Sequence, residues 1–321
     1  MSISEIIAAL RTPEPGVDER LNWWRWGSLA FFSLHLLVTA LTIPFRWDHL
    51  ALAGIFIGLA WAGPRLRRMS FYCLPFGLTA IAYDNLRFIT HLRGTIHVAD
   101  LYAADMALFG VTTAAGPMVL TEYFRLHPHV VLDLACGFAY LSYIYEVILG
   151  GFYLFFKDRR RMTHLAWGFL AVNLMGMATY LIYPAAPPWY VEQYGLGPAV
   201  LDALPSAAGA ARFDELLGIT YFAGFYSRNI NVFGAMPSLH CAYPVLFFCV
   251  VAGMGRGWAV TTLAYALLMA LSAVYLRHHY VLDVLFGALY AVVAYGGVRG
   301  VMALLARREQ VRDAAVSRGE A

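Results

Sequence analysis

Charge is what this chain is short of. Asp, Glu, Lys and Arg make up 13% of its 321 residues, whereas a soluble domain carries roughly 25%. The charges present sit in short clusters between long apolar runs. A polar-surfaced globule and a disordered chain are both excluded, and 60% hydrophobic residues with a mean hydropathy of +0.61 describe an integral membrane protein. The net charge of +3 bears on membrane topology and gives no reason to expect a nucleic-acid partner. Cysteine is scarce as well. Cys73, Cys136, Cys241 and Cys249 all lie in apolar stretches without paired spacing, which argues against a disulfide framework or a zinc site. Cys241 stands beside His240 but reads as a packing residue, because a thiol buried in apolar surroundings stays protonated. No internal repeat and no second domain is visible.

The apolar runs fall near 27–45, 47–63, 70–86, 130–156, 163–183, 238–254, 258–276 and 280–303. Each approaches the ~20 residues a helix needs to cross a bilayer, so about eight spans are expected in an all-α bundle. Ahead of them, the first 26 residues hold charges, two prolines and the cluster Asn22-Trp23-Trp24-Arg25-Trp26. This segment reads as an interfacial anchor, not a cleaved signal. The stretch 100–120 carries Asp100, Asp105 and Gly116-Pro117 and is expected to form a re-entrant or interfacial hairpin.

Orientation follows from Lys and Arg, which favour short cytoplasmic loops. A cytoplasmic N-terminus and eight spans place Arg65/Arg67/Arg68, Lys157/Arg159/Arg160/Arg161, Arg256 and Arg307/Arg308/Arg312 together on the cytoplasmic side. The same count sends residues 84–93, the 184–235 loop, His240 and His279 to the opposite face. Four prolines across 184–198 forbid a continuing helix there, and residues 212–225 suggest a short helix lying on the membrane. From Arg307 on, the tail is polar and is expected to be disordered.

Two polar islands interrupt this apolar sequence, Pro237-Ser238-Leu239-His240 and His278-His279-Tyr280-Val281-Leu282-Asp283. Ionisable residues at the edge of a lipid-buried helix are expensive and point to function. His279 and Asp283, four apart, would share a helix face, so that the carboxylate accepts the imidazole Nδ1 proton and leaves Nε2 free as nucleophile or base. His240 would open another helix, whose N-terminal N–H groups favour an anion. In lipid that anion is expected to be a phosphodiester headgroup. The other histidines, His35, His49, His91, His97, His127, His129 and His164, read as interfacial anchors. Zinc is a rival use of a His and an Asp four apart, but no Glu beside them is placed as the base of a zinc hydrolase.

Gly234-Ala235-Met236-Pro237-Ser238-Leu239-His240 resembles the second motif (PSGH-like) of the type-2 phosphatidic acid phosphatase superfamily, and Ser272 to Asp283 resembles its third, SRxxxxxHxxxD. Leu239 before the histidine, the doubled His278-His279-Tyr280 and Ala186-Pro187-Pro188-Trp189-Tyr190 look like the inositol phosphorylceramide synthase-like branch. Tyr83-Asp84-Asn85-Leu86-Arg87 extends the likeness into the N-terminal half. The resemblance implies a polytopic helical bundle with a six-helix core, divided as an N-terminus 1–26, one transmembrane catalytic domain 27–303 and a cytoplasmic tail 304–321.

It further implies a phosphotransferase that moves a phospho-headgroup, phosphoinositol by analogy, from a glycerophospholipid to a lipid alcohol such as ceramide. His279 would be the nucleophile, passing through a phosphohistidine; His240 the acid and base; Asp283 the residue that orients His279. No cofactor or metal is implied, and the partners are membrane lipids. Two departures stand out: Ala273 occupies the arginine position of the third motif, and no KxxxxxxRP motif precedes the histidines. Arg277, Arg228 and Arg87 are candidates to bind the phosphoryl oxygens in place of those cations, with Ser238, His278 and Tyr280 beside them. Asp84, Asn85, Tyr226, Asn229 and Asn231 are further candidates for the headgroup. The alternatives are a lipid phosphatase acting on phosphatidate or a polyprenyl phosphate and, in another class, a non-catalytic lipid-binding or transport protein.

Overall fold

A computed structural model describes residues 20–227 and 231–317 of the chain. Helices stand over all eight apolar stretches: α1 (Trp24–Thr42), α2 (Trp47–Trp61), α3 (Pro64–Asn85), α6 (Val130–Lys157), α7 (Arg159–Ile182), α11 (Leu239–Val251), α12 (Arg256–Tyr275) and α13 (Val281–Ser317). Four of them, α6, α7, α12 and α13 as far as Arg308, are long and apolar enough to cross a membrane; α2 and α11 are shorter apolar helices. Shorter elements fill the connections. These are α4 (Ala99–Phe109), α5 (Leu120–Leu126), α8 (Pro188–Tyr194), α9 (Ala211–Leu217) and α10 (Tyr221–Tyr226).

The shortest apolar helix is the most enclosed. α11 packs against α6, α7, α12 and α13, and its Tyr243 hydroxyl donates to Asn173 Oδ1 of α7 at 2.7 Å within that packing. Lipid tails are as apolar as leucine, so helices associate here through close van der Waals fit, and small residues permit it. Phe247 lies over Gly150 of α6, and Leu246 and Leu239 lie over Gly168 and Gly176 of α7. α3 packs on α7, and α1 and α2 pack outside α3.

Several expectations change at this level. The 100–120 stretch is a helix, α4, followed by an antiparallel hairpin of β1 (Val111–Thr113) and β2 (Gly116–Met118). The expected helix at 212–225 is two, because Gly218 takes a left-handed φ of 64° and caps α9 before α10 begins. The tail is helical to Ser317, as its Ala, Leu and Arg content favours. Trp24 is no surface anchor: its indole N–H donates to Ser70 at 3.0 Å inside the bundle, while Trp23 and Trp26 remain exposed. Arg67, one of the basic cluster expected on the cytoplasmic side, is buried in the first turns of α3 and donates to the Ala60 carbonyl at 3.0 Å. His49 is also buried, its Nε2 3.1 Å from Asp84.

Three extended segments meet on the side that holds the histidines. His97 pairs with Ala185, and Ala185 with Gly234. The Ala185 N–H donates to the Phe233 carbonyl at 3.0 Å and the Ala235 N–H to the Ala185 carbonyl at 3.1 Å. This small ladder fixes Ala235, within the second motif and five residues before His240.

Candidate active site

Ser238 caps α11, its hydroxyl accepting the Cys241 N–H at 3.3 Å, which sets His240 in the first turn. Pro244 follows four residues later. Having no N–H, it leaves the His240 carbonyl without the usual helical partner. The start of α11 is tied to α13 directly, since the Ser238 N–H donates to the Asp283 carbonyl at 2.9 Å. Gly287, one turn further along α13, makes this approach possible: a Cβ there would stand 2.2 Å from the Ser238 carbonyl oxygen.

The second island is held by a tight turn after α12. The Ala273 carbonyl accepts both the His278 and the His279 N–H at 3.1 Å. Arg277 adopts φ 63°, a left-handed conformation uncommon for a residue with a side chain. Residues of the 184–235 segment brace the turn, Gly209 N–H donating to the Leu276 carbonyl at 3.0 Å and Trp189 N–H, at the start of α8, to the Arg277 carbonyl at 3.2 Å. A Cβ on Gly209 would come within 2.8 Å of the Leu276 Cα.

This arrangement brings His240 and His279 together, with Nδ1 of the first 3.1 Å from Nε2 of the second. The remaining nitrogen of His279, Nδ1, lies 2.7 Å from the Ala235 carbonyl oxygen. A carbonyl only accepts, so Nδ1 carries the proton and Nε2 holds the lone pair when the ring is neutral. His240 must then donate from Nδ1, and its own Nε2 is buried without a partner. One backbone oxygen thus fixes both tautomers.

Asp283 does face His279, but not through the bond expected from their spacing. α13 begins at Val281, so His279 precedes it, and Nδ1 is 3.7 Å from Asp283 Oδ2. That oxygen instead accepts the Tyr280 N–H at 2.7 Å, a carboxylate at the third helical position reaching back to the cap residue. The charge of Asp283 remains close to His279 while its geometry is set by the helix start. Tyr280 is fully buried with its ring edge-on to Tyr102 at 6.3 Å, and its hydroxyl has no partner.

His278 points elsewhere. Its Nε2 donates to the Ala207 carbonyl at 3.1 Å, and its ring lies between Tyr226 at 4.4 Å and Tyr140 at 5.2 Å, nearly parallel to both. Burial, with His279 and Arg277 nearby, pushes its imidazole down to about 3. Of the doubled histidines, only His279 turns a nitrogen to His240. Tyr140 continues the stack onto His240 at 4.2 Å and 13°, and Tyr143 flanks the same ring at 4.5 Å. These two tyrosines were not singled out in the sequence, where they are two aromatics among many on an apolar helix.

Two of the three candidate cations are paired with carboxylates. Arg277 Nη1 pairs with Glu192 of α8 at 2.5 Å, while its Nε is buried without a partner. Arg87 pairs with Asp84, which also accepts Arg46 Nη2 at 2.9 Å. Arg228 and Asn229 lie outside the described residues. Ala273 is completely buried beneath the histidine turn, so an arginine there would push a charge into packed core. Ala273→Arg, which restores the phosphatase-type motif, is expected to destabilise the protein by roughly 3 kcal/mol or more without raising phosphate release. Thermal denaturation in detergent and a phosphate-release assay check this; a stable, phosphate-releasing variant would contradict it.

The bundle, and the two motifs whose histidines meet at its helix starts, define a class before any relative is named. The family model of the PAP2 superfamily matches residues 100–297, and the chain belongs to that superfamily. It is 39% identical over 272 residues to the phosphoinositol dihydroceramide synthase of Bacteroides thetaiotaomicron, covering 83% of this chain and 88% of that one. It is also similar to two fungal catalytic subunits of inositol phosphorylceramide synthase. Identity is 26% over 279 residues for Schizosaccharomyces pombe and 29% over 281 for Saccharomyces cerevisiae, covering 85% and 84% of this chain but 64% and 66% of the fungal proteins. No solved structure matches.

Proposed function

We propose that this protein is a membrane phosphotransferase that moves phosphoinositol from a glycerophospholipid to the hydroxyl of ceramide or dihydroceramide, releasing diacylglycerol. The observation that carries the reading is the His240–His279 pair with its tautomers set by Ala235; the names of the relatives supply the substrate class. His279 Nε2 attacks the phosphorus, the bond from phosphorus to the diacylglycerol oxygen breaks, and His240, entering this step as the imidazolium, gives that oxygen a proton and is left neutral. The acceptor hydroxyl then attacks the phosphohistidine, His240 takes the hydroxyl proton, and the phosphorus–nitrogen bond breaks. The two nitrogens stand 3.1 Å apart, too close for a phosphoryl group between them, so the rings must separate for the reaction.

Asp283 steadies the positive charge that grows on His279, acting across 3.7 Å. The face of Tyr140, stacked on His240, favours the cationic form of that ring as well. Arg277, Arg228 and Arg87 are assigned to the phosphoryl oxygens and headgroup, with His278, Ser238 and Tyr280 shaping the wall. Eight spans around a six-helix core, with the site on the extracytoplasmic or lumenal face, fit the distribution of basic residues.

Purified protein in mixed micelles with phosphatidylinositol labelled in the headgroup, with and without ceramide, tests this. A new labelled lipid that forms only with acceptor is the expected product. Water-soluble inositol phosphate or free phosphate, released at the same rate with or without acceptor, would make the protein a hydrolase instead.

A further inference from the structure

We infer that Asp105, on α4, is a positioning residue for the histidine site, holding the first turn of α13 through the Leu282 N–H. The inference rests on the site reading above. Asp105 is fully buried, and its Oδ1 accepts the Leu282 N–H at 3.0 Å across 177 residues of chain. Leu282 lies between the two residues that build the site, three positions after His279 and next to Asp283.

Helix starts leave N–H groups without partners inside the helix. At α13 two carboxylates serve them. Asp283 takes the Tyr280 N–H from within the helix, and Asp105 takes the Leu282 N–H from outside it. Only the second contact joins α13 to a separate element. Leu101 and Met106 of α4 pack in the same apolar cluster as Tyr280, Ala235 and Leu282. One rigid patch therefore fixes both the carbonyl that sets the His279 tautomer and the turn that carries the ring.

A buried carboxylate is a costly way to supply one acceptor. Burial, with the charge of Asp283 adding to it, pushes the Asp105 carboxyl up to about 6, and its second oxygen has no partner. Around it stand Asp283 on α13, Tyr280 just before that helix and Tyr102 one turn back on α4. None of these is a cation. The role of Asp105 is thus that of an acceptor at a fixed reach, and asparagine, which keeps a carbonyl oxygen there without the charge, should replace it.

The test compares wild type, Asp105→Ala and Asp105→Asn by hydrogen–deuterium exchange of the peptides spanning 279–288 and by steady-state transfer kinetics. Asp105→Ala is expected to speed exchange there and to lower kcat roughly 10- to 100-fold with KM within about twofold, since displacement near 1 Å at a reacting group has effects of that order. Asp105→Asn should keep slow exchange and a kcat within about threefold of wild type. The inference is overturned if Asp105→Ala leaves both measures unchanged, or if Asp105→Asn is as damaging as alanine. Should the alanine variant not accumulate, Asp105→Ser, too short to reach Leu282, replaces it under the same criteria. If wild type transfers nothing, the proposed function fails, and the exchange data alone decide the role of Asp105.

Discussion

Replacing His279 with alanine is expected to remove transfer altogether, a loss on the order of 10⁴- to 10⁶-fold in kcat, as for other enzymes that lose a nucleophile. The ring is held from two sides, by the Ala235 carbonyl at 2.7 Å and by the turn whose N–H groups end on Ala273. The neutral rings of His240 and His278 keep lone pairs of their own, but neither has one nitrogen on a carbonyl and the other facing a second imidazole, as His279 has. His278 is adjacent in sequence, but its Nε2–H is bound to Ala207 and its ring lies inside the tyrosine stack. Replacement of His240 by glutamine should cost less, about 10²- to 10⁴-fold. It should also matter little in the first step for a donor whose leaving group is an acidic phenol, which departs without a proton. Rates of donor cleavage for lipid and aryl donors in the two variants measure this. Residual lipid transfer by the His279 variant above 1 part in about 10³ would assign the nucleophile elsewhere.

Gly287→Ala is expected to leave the protein folded and to lower kcat by roughly 10- to 100-fold with little change in KM. Two effects oppose one another. Alanine in a helix interior gains up to about 1 kcal/mol over glycine, which alone would stabilise α13. The new Cβ would, however, stand 2.2 Å from the Ser238 carbonyl oxygen, about 1 Å inside any tolerable contact. The backbone at the start of α11 has no flexible side chain to yield, so α11 and α13 must separate. That separation acts directly on the distance between His240 and His279, which ride on those helix starts. Kinetics together with thermal denaturation check the prediction. A Gly287→Ala protein with wild-type kcat would show that the close approach of the two helices is not needed for turnover.

Much of this arrangement was legible in the residues. Apolar runs located the eight helices to within a few positions, save the start of α3 and the extension of α13 to Ser317, because little but a helix can bury so long a stretch while satisfying its backbone. The place of His240 at the opening of a helix was legible too. What the sequence did not reveal was which backbone group would serve which side chain. A spacing of four suggested a direct His279–Asp283 bond, yet α13 begins two residues after His279, and the Ala235 carbonyl, 44 residues away, accepts the Nδ1–H. Asp105 was visible only as an acid in an apolar stretch, and its meaning required the contact across 177 residues. Tyr140 and Tyr143 gave no signal, since aromatic residues on an apolar helix are most often ordinary packing. The short apolar α11, for its part, reads like any membrane helix although four neighbours surround it.

The most direct measurement is capture of the intermediate. Wild-type protein is mixed with headgroup-labelled phosphatidylinositol in the absence of acceptor, quenched in alkali to preserve a phosphorus–nitrogen bond, digested and analysed by mass spectrometry. An inositol phosphate adduct on His279, discharged to a lipid when ceramide is added before the quench, is the predicted result. An adduct on another residue, or transfer to ceramide at full rate with His279 replaced, would contradict the mechanism at its centre.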